Sequence, residues 1–421
     1  MQGTGPRRRG RTEGFTTQPN GRNSRDSDRT NKQPKTTKAK SKKTTKKKSE
    51  KVEVIQYKGG VDKIFLVLVI IMVCVGTAMI FTASYANALW RFGNSYHFVV
   101  RQMMMAAIGM VFMVIASYIA DHRWIKKVAL PIFIAVLVLN YLTPFLGRTI
   151  HGGHRWIVIG GLQFQPSELL KLAVVLMLAW YIEKMDTRMR TFKWGLGVPG
   201  LIIVAIAVAM FLQSHFSGLI IISMICIAII FIGETPIKWL GLFAAAGGGL
   251  VFYVIWFTDY ASSRIESWLD PWADPTDAGF QVIQSLYAIA SGGLTGVGLG
   301  QSRQKFLYLP EPQNDFIFSI ISEELGFIGA VGIILLFVVL IWRGIVIAYH
   351  APDKFSAFVV MGIIIKVAVQ FLLNLMVVTG TIPNTGIPLP FFSYGGTALV
   401  VLLAEMGIIL CISRYSYQEK A

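Results

Sequence analysis

Long runs of apolar residues recur along the chain after about residue 60. Each of ten such runs is long enough to cross a bilayer as a helix, which takes roughly 20 apolar residues. The pattern therefore predicts an all-α polytopic membrane protein with about ten transmembrane helices. The predicted spans are 63–84, 97–120, 127–147, 168–184, 195–213, 217–233, 237–257, 315–342, 357–380 and 394–413.

Composition supports this reading. Hydrophobic residues make up 54% of the chain and charged residues only 15%, and the mean hydropathy is +0.56. A soluble domain has about 25% charged residues, so a water-soluble enzyme and a disordered scaffold are both excluded. The three cysteines, Cys74, Cys226 and Cys411, lie singly in apolar runs. We expect them to be buried, inert thiols rather than parts of a disulfide frame or zinc site.

The positive charge of the chain is concentrated at its start. Residues 1–60 contain 18 Lys/Arg and 5 Asp/Glu, which gives +13, whereas the remainder contains 22 and 18, which gives +4. We interpret 1–60 as a disordered basic cytoplasmic tail, 61–415 as the transmembrane domain and 416–421 as a short cytoplasmic C-terminus. The tail lacks interleaved aromatic residues. We therefore expect it to meet anionic membrane lipids and not nucleic acid.

The distribution of Lys and Arg among the loops predicts the orientation. Basic residues favour cytoplasmic loops, and their bias places both termini inside. The longest connection, 258–314, then lies outside the membrane between helices 7 and 8. It contains an apolar stretch, 279–292, that is too short to span and is typical of a re-entrant or interfacial helix. A loop of this length in a compact domain is usually functional.

Charged residues inside spans are costly and therefore mark candidate sites. Glu168 and Lys171 are three residues apart at the start of span four, so they share a helix face. They are predicted to form a structural ion pair or to line a polar head-group pocket. In span nine, Lys366, Gln370 and Asn374 form one polar stripe. This stripe either hydrogen-bonds within the bundle or directs a cation at an anionic substrate.

Span eight opens with a further polar face. Asp315, Ser319, Ser322 and Glu323 lie within roughly 100° of helical arc. Asp315 is predicted at a helix N-terminus, where the helix dipole favours an anion, either as a simple cap or as a functional carboxylate. Glu323 lies two turns deeper, and a structural role suits it better.

The outer loops add polar candidates. Gln284 and Ser285 share one face of the stretch 279–292, and a glycine-rich run precedes Arg303 and Lys305. Glycines beside cations bring backbone N–H groups up to a phosphate, although plain turns use the same residues. The run lacks the GxxxxGK[ST] nucleotide motif. The two histidines of 151–154 have no third ligand at a clear spacing, so we predict no metal site.

Several segments together resemble the SEDS family (shape, elongation, division and sporulation) over roughly residues 60–415. Those around 271–275 and 300–305 are most similar to its division and sporulation branch, FtsW and SpoVE. Two positions depart from the family pattern. His215 stands where the family usually has an acidic residue, and Glu405 is unusual in span ten. The similar segments are 155–157, 165–171, 270–275, 298–305, 308–318, 323–326 and 388–396.

The resemblance implies a peptidoglycan glycosyltransferase that polymerises lipid II at the outer face of the cytoplasmic membrane, during cell division or sporulation. The family's catalytic aspartate matches Asp315, which would act as general base. The implied partners are a class B penicillin-binding transpeptidase and other divisome proteins at the division septum. The residues expected to contact substrate are Arg155, Glu168, Lys171, Gln284, Ser285, Arg303, Lys305 and Lys366.

Two other function classes remain open at this stage. A transporter that flips lipid II would suit ten spans with buried charges, and a non-catalytic division scaffold would need no active site. The concentration of polar residues on the predicted outer side favours the polymerase. A divalent cation, Mg²⁺ or Mn²⁺, would assist the departure of a diphosphate, although no ligand set is visible in the sequence.

Overall fold

A computed structural model of the protein is predominantly helical. It describes residues 55–56, 59–118, 121–150, 153–159, 162–242, 245, 249, 265–276, 279–306, 308–415 and 417–418. The predicted disorder of residues 1–54 lies outside this described part. The helices are α1 (Lys63–Phe92), α2 (His97–Tyr118), α3 (His122–Leu146), α4 (Pro166–Met185), α5 (Val198–Leu212), α6 (Phe216–Ile232), α7 (Phe280–Gly292), α8 (Ile317–Tyr349), α9 (Lys354–Val378) and α10 (Gly396–Ser413).

The described helices agree with the predicted spans in all regions but one. Seven of them are long and apolar enough to cross a membrane by length and composition, counting a helical segment Lys193–Leu212 that contains α5. Helices α4 and α6 coincide with two further predicted spans; α6 is shorter, at 17 residues. The seventh predicted span, 237–257, lies largely outside the described residues. The 13-residue helix α7 occupies the stretch expected to be too short to span.

Side-chain caps define several helix starts. Asp62 accepts a hydrogen bond from the backbone N–H of Phe65 at 2.8 Å and opens α1. Asp353 caps α9 through the N–H of Ser356 in the same way, also at 2.8 Å. Such caps satisfy N–H groups that have no partner within the helix. At the far end of α1, Gly93 adopts a left-handed conformation that ends the helix.

Helices α4, α9 and α10 form the centre of the bundle. Helix α4 is buried along almost its whole length, and it packs against α3, α9 and α6. Helix α10 lies mainly against α2, while α8 packs on α9 and α7. Because the central helices are enclosed by others, their polar side chains face protein or a cavity instead of lipid.

Two small sheets complete the fold. Strands β2 (Arg148–Ile150), β3 (Gly153–Ile159) and β4 (Leu162–Phe164) form an antiparallel meander that leads into α4. Strands β1 (Ile55–Gln56) and β5 (Tyr417–Gln418) pair antiparallel. The pairing ties residues 55–56, within the predicted tail, to residues 417–418. It also brings the two ends of the bundle to one side.

Helix α8 is broken at Gly326, which has φ 67° and ψ −168°. The glycine-rich segment 293–298 lies against the break and takes up the backbone groups that the helix leaves without partners. The sequence predicted one continuous span over 315–342 here, whereas the chain forms a short piece, a break and a long piece. The four backbone hydrogen bonds, 2.9–3.1 Å long, run from Val297 to Glu323, from Gly298 to Glu324, from Phe327 to Gly293 and from Ile328 to Leu294.

Candidate functional site: a charged cavity inside the bundle

A cavity of about 680 Å³ opens among the central helices. This volume is typical of a site for one drug-sized ligand. Its wall is built from α2, β3, the start of α4, the start of α6, the segment before α8, α9, the loop before α10 and α10 itself. The titratable residues on the wall are Arg101, Arg155, Glu168, Lys171, His215, Glu311, Asp315, Lys366 and Tyr394.

Asp315 lies on this wall in the turn before α8. The helix begins at Ile317, so the expectation that Asp315 opens the helix is wrong by two residues. The backbone of Asp315 is fixed by Asn374, whose side-chain NH₂ donates to the Asp315 carbonyl at 2.7 Å. The same NH₂ donates to the Ile387 carbonyl at 2.7 Å. Asn374 therefore joins the Asp315 turn to the loop that precedes α10.

That loop approaches the Asp315 carboxylate closely. Gly386 has φ +66°, and a Cβ atom at this position would lie 3.2 Å from Oδ2 of Asp315. A side chain here would therefore crowd the carboxylate as well as strain the backbone. The loop without a side chain at Gly386 leaves Asp315 half-buried and facing the cavity.

The predicted pair of Glu168 and Lys171 is confirmed. Lys171 Nζ lies 2.7 Å from Glu168 Oε1, and the two side chains are 4% and 7% exposed. Both residues also line the cavity; that it takes a polar head group stays a prediction. Pro166 at the first position of α4 starts the helix so that both side chains fall in its first turns.

Lys366 has a partner that the sequence reading missed. Its Nζ lies 2.7 Å from both carboxylate oxygens of Glu405 on α10, and both side chains are buried. The signal was present, since each residue is a lone charge of opposite sign near the middle of a span. The predicted stripe is confirmed as a buried face: Lys366 and Gln370 line the cavity, while Asn374 bonds to backbone.

Four predicted substrate contacts lie outside the cavity wall. Lys305 is fully buried and pairs with Glu324 at 2.9 Å. Ser285 is buried and bonds to Ser319 Oγ at 2.8 Å and to the Val378 carbonyl at 2.7 Å. These groups hold the segment 280–306 against α8, and their positions lie away from the cavity; contact with substrate stays a prediction. The other two residues are Arg303, which is exposed, and Gln284, which is half-buried on α7.

Glu323 has the structural role expected of it. Its carboxylate accepts hydrogen bonds from Ser302 Oγ at 2.5 Å and from the backbone N–H of Arg303 at 2.9 Å. The side chain is 1% exposed. Glu323 therefore anchors the glycine-rich loop beside the break in α8 and does not reach the cavity.

Arg101 and His215 are cavity residues that the sequence reading did not assign as site residues. Arg101 lies on α2, and among the described residues neither it nor Arg155 forms an ion pair. His215 lies in the connection between α5 and α6. Burial, together with the nearby cations Arg155 and Lys171, lowers the pKa of His215 to about 3, so its imidazole is neutral at physiological pH. Its departure from the family pattern was the one available signal.

The charge of the wall is unevenly balanced. Lys171 and Lys366 each have a buried carboxylate partner, whereas the two arginines have none among the described residues. The positive potential available to a ligand therefore comes chiefly from Arg101 and Arg155. Within the described part of the chain, no group of three or more His, Cys, Asp or Glu side chains could hold a metal ion.

Comparison with known proteins gives consistent matches over the helical region. The family model described as "Cell cycle protein", covering FtsW, RodA and SpoVE, matches residues 62–418. Stage V sporulation protein E of Bacillus subtilis is 42% identical over 365 residues, covering 84% of this chain and 97% of that protein. A probable peptidoglycan glycosyltransferase FtsW of a Geobacter species is 39% identical over 361 residues, covering 84% and 97%.

Solved structures show the same architecture. One, described as structural coordination of polymerization and crosslinking by a peptidoglycan synthase complex, matches with a TM-score of 0.71 at 30% identity and covers 84% of this chain and 98% of that one. The rod shape determining protein RodA of Thermus thermophilus matches with a TM-score of 0.63 at 27% identity, covering 85% and 98%.

Proposed function

The chain belongs to the FtsW/RodA/SpoVE family of cell cycle proteins and is a peptidoglycan glycosyltransferase, and we propose that it polymerises lipid II with Asp315 as general base. The observation that carries the proposal is the half-buried Asp315 carboxylate on the wall of a cavity that also presents Arg101 and Arg155. Lipid II combines an isoprenoid chain, a diphosphate and a sugar. A cavity inside a membrane bundle with cations and a carboxylate provides for each part.

The proposed reaction inverts the configuration at the donor sugar. Asp315 accepts the proton of the acceptor sugar's 4-hydroxyl group while that oxygen bonds to the anomeric carbon of the donor. The bond between the anomeric carbon and the diphosphate oxygen breaks, and polyprenyl diphosphate leaves with the electron pair. A positioned general base typically contributes about 10²–10⁴-fold to the rate.

The cations of the wall stabilise the leaving diphosphate in this scheme. Negative charge develops on the bridging oxygen as the bond breaks, and pre-oriented positive groups at that point lower the barrier. Arg155 and Arg101 suit this role best because they have no carboxylate partner among the described residues. Lys171 and Lys366 contribute less, since Glu168 and Glu405 already neutralise them. A divalent cation would be bound by the diphosphate itself.

We further propose that the enzyme works with a class B penicillin-binding transpeptidase at the division septum, with both termini in the cytoplasm. The described helices account for most of the described residues between 63 and 413, and the described part contains no second domain that could crosslink peptides. A partner for crosslinking agrees with the matching structure, which is of a peptidoglycan synthase complex.

Substitution of Asp315 by Asn tests the mechanism. The change keeps the shape of the side chain and removes the base, so purified protein given lipid II should lose at least about 10²-fold in the rate of glycan-strand formation. Its thermal unfolding should match that of the native protein. Asp270→Asn is the matched control, because Asp270 is exposed and its carboxylate accepts a hydrogen bond from the backbone N–H of Trp272, close by in the same loop.

The outcomes separate the function classes. Polymerisation at a near-native rate by the Asp315→Asn variant would overturn the general-base mechanism. Movement of lipid II between leaflets without strand formation by the native protein would favour the transporter. If the folded native protein neither polymerises lipid II nor moves it between leaflets, alone or with a transpeptidase partner, the non-catalytic division scaffold is the remaining function class.

A further inference from the structure

The turn before α8 is held through three successive backbone carbonyl groups, those of residues 313, 314 and 315. Each carbonyl accepts a hydrogen bond from a different donor. The donors are the Tyr394 backbone N–H at 2.8 Å, the Ser393 hydroxyl at 2.6 Å and the Asn374 side-chain NH₂ at 2.7 Å. The backbone of the turn is therefore fixed, and its side chains project from a rigid base.

Glu311 determines which way the Asn314 amide points. The Glu311 carboxylate accepts one hydrogen bond from Asn314 Nδ2 at 2.6 Å and another from Arg91 Nη1 at 3.2 Å. A carboxylate beside a guanidinium offers only acceptor oxygens, so the amide must turn its NH₂ group towards Glu311. Asn314 Oδ1, the acceptor end of the amide, then points away from Glu311.

Asn314 Oδ1 is a reachable acceptor. Among the described residues it has no hydrogen-bond partner, and it is not one of the polar atoms that protein encloses completely. Asn314 is half-buried and lines the cavity. A ligand in the cavity therefore meets an amide whose donor end is already used and whose acceptor end is open.

Glu311 holds this arrangement in a strained backbone conformation. Its φ is +43°, a value that residues other than glycine rarely adopt. It stands between Pro310 and Pro312, and a following proline further restricts the backbone of the residue before it. Strained residues of this kind are concentrated at functional sites, and Glu311 itself lines the cavity.

The neighbour of Asn314 in the chain indicates which ligand group it meets. Asp315 lies on the same cavity wall, and consecutive Cα atoms are only about 3.8 Å apart. A sugar whose 4-hydroxyl group meets the Asp315 carboxylate therefore presents a second hydroxyl group near Asn314. An open acceptor matches a hydroxyl group, which can donate, and not a diphosphate, whose oxygens only accept.

We propose that Asn314 Oδ1 accepts a hydrogen bond from a non-reacting hydroxyl group of the acceptor sugar, and that Glu311 holds the amide in the orientation this contact needs. The inference rests on the proposed function and deepens it by adding a sugar-binding residue beside the general base. Asn314 contacts the substrate, whereas Glu311 is a positioning residue that acts through it. Because the hydroxyl group does not react, the contact is equal in the ground and transition states. Its loss should raise KM and leave kcat unchanged.

The isosteric variants Asn314→Thr and Asn314→Val test the contact during polymerisation of lipid II by the purified full-length protein. The threonine hydroxyl donates to Glu311 and still accepts through its lone pairs, so KM should stay within about 3-fold of native. Valine has the same shape and no polar atom, so KM should rise at least about 10-fold while kcat stays within about 2-fold of native. The two variants should have the same midpoint of thermal unfolding. If Asn314→Val does not fold, Asn314→Ala takes its place.

Three results would overturn the sugar contact. They are a native KM for the valine variant, equal KM values for the threonine and valine variants, and a fall in kcat at native KM. The last would mean that the residue acts on the Asp315 turn and not on the sugar.

Glu311→Gln and Arg91→Gln test the orientation of the amide. Glutamine at 311 can donate as well as accept, so it no longer fixes the Asn314 amide, and KM should rise about 3-fold or more at native kcat. Arg91→Gln is the control, because it removes the other partner of Glu311 and leaves the contact with Asn314. This ion pair is partly exposed, so KM should stay within about 2-fold of native. Equal effects of the two substitutions would overturn the positioning role.

Failure of this inference and failure of the proposed function are observed separately. Strand formation by the native protein together with a native KM for Asn314→Val would overturn the sugar contact alone. If the native protein forms no strands, the polymerase is overturned, and equilibrium binding of lipid II still tests the contact without turnover. Asn314→Val should then bind lipid II at least about 10-fold more weakly than Asn314→Thr, and equal affinities would overturn the inference.

Discussion

Lys366 and Glu405 face each other from two central helices, and among the described residues neither charge has another hydrogen-bond partner. Removing one member of a buried ion pair leaves an uncompensated charge, which typically costs about 3–5 kcal/mol. We therefore expect Glu405→Gln to lower the free energy of unfolding by that amount. The double variant Lys366→Met with Glu405→Leu should be near native in stability, because apolar groups of similar volume replace both charges.

Denaturant unfolding of the two variants in the same detergent measures the difference. A single variant as stable as the double one would mean that water reaches the pair and that it is not buried in solution. Loss of polymerisation by the folded double variant would assign Lys366 a role in substrate binding as well as in packing.

Helical spacing made part of the site predictable at the level of residues. The three-residue step from Glu168 to Lys171 indicated their pairing, and the stripe from Lys366 to Asn374 indicated one buried face. The positions of Lys305 and Ser285 away from the cavity wall could not be predicted, because both residues lie in or beside a loop whose path no periodicity encodes. Their partners, Glu324 and Ser319 among them, come from a distant part of the chain.

Among the helices, α8 differs most from its sequence pattern. The predicted span of 28 residues would be about 42 Å long, whereas the piece after Gly326, residues 327–349, is about 34 Å and alone suffices for the hydrocarbon core. The short piece before the break then lies towards the end that carries Asp315. An apolar run shows how many residues are buried in a bilayer or a bundle but not where a helix is interrupted.

Gly326 should tolerate no side chain. Its φ is +67°, and a Cβ atom there would lie 2.2 Å from the backbone N of Gly296. We expect Gly326→Ala to destabilise the protein by roughly 3 kcal/mol or more, since backbone strain and a steric clash with main chain act together. The shift in the midpoint of thermal unfolding, converted to a free energy with the measured unfolding enthalpy, gives the size of the destabilisation.

Gly332→Ala is the matched control on the same helix. A Cβ atom at Gly332 meets nothing within 4 Å, so alanine should be neutral or stabilise by up to about 1 kcal/mol through its higher helix propensity. Equal effects of the two substitutions would contradict the break in α8.

The whole molecule is constrained by the pairing of β1 with β5, which brings residues 55 and 418 side by side. Chain ends on one side of a membrane require an even number of crossings between them. Nine of the ten predicted spans have a described helix, so the tenth crossing is expected in 237–257, the predicted span that lies largely outside the described residues. Segment 258–314 then lies on the side opposite the termini.

Cysteine accessibility in intact cells tests this topology. In a background without the three native cysteines, Ala273→Cys in the segment 258–314 should react with an impermeant maleimide, because residue 273 is exposed and predicted to be extracytoplasmic. Thr187→Cys, also exposed but in the turn after α4, should react only after the membrane is permeabilised. The reverse labelling pattern would mean that the orientation in the membrane is opposite to the predicted one and that the active site does not lie at the outer face.

Apolar run lengths were sufficient to predict the polytopic helical architecture, because a bilayer requires helices of that length. The orientation inferred from charge bias stays a prediction. The cavity could not be predicted in the same way. Its wall combines side chains from α2, α6 and α9 with loop backbone at Gly386, and only the packing of the helices brings them together. Arg101 shows this most simply, since one arginine near a helix end looks like an interfacial anchor until its neighbours are known.

The break in α8 also has a consequence for how sequences of this kind can vary. At Gly296 and Gly326 two backbones touch, so a side chain at one position cannot be accommodated by any change at the other. The pair of Lys366 and Glu405 differs from these two glycines, because a substitution that removes one charge is compensated by a substitution that removes the other. Covariation between related chains should therefore reveal the ion pair, whereas the two glycines should be invariant and appear unrelated, although their contact is the closer one.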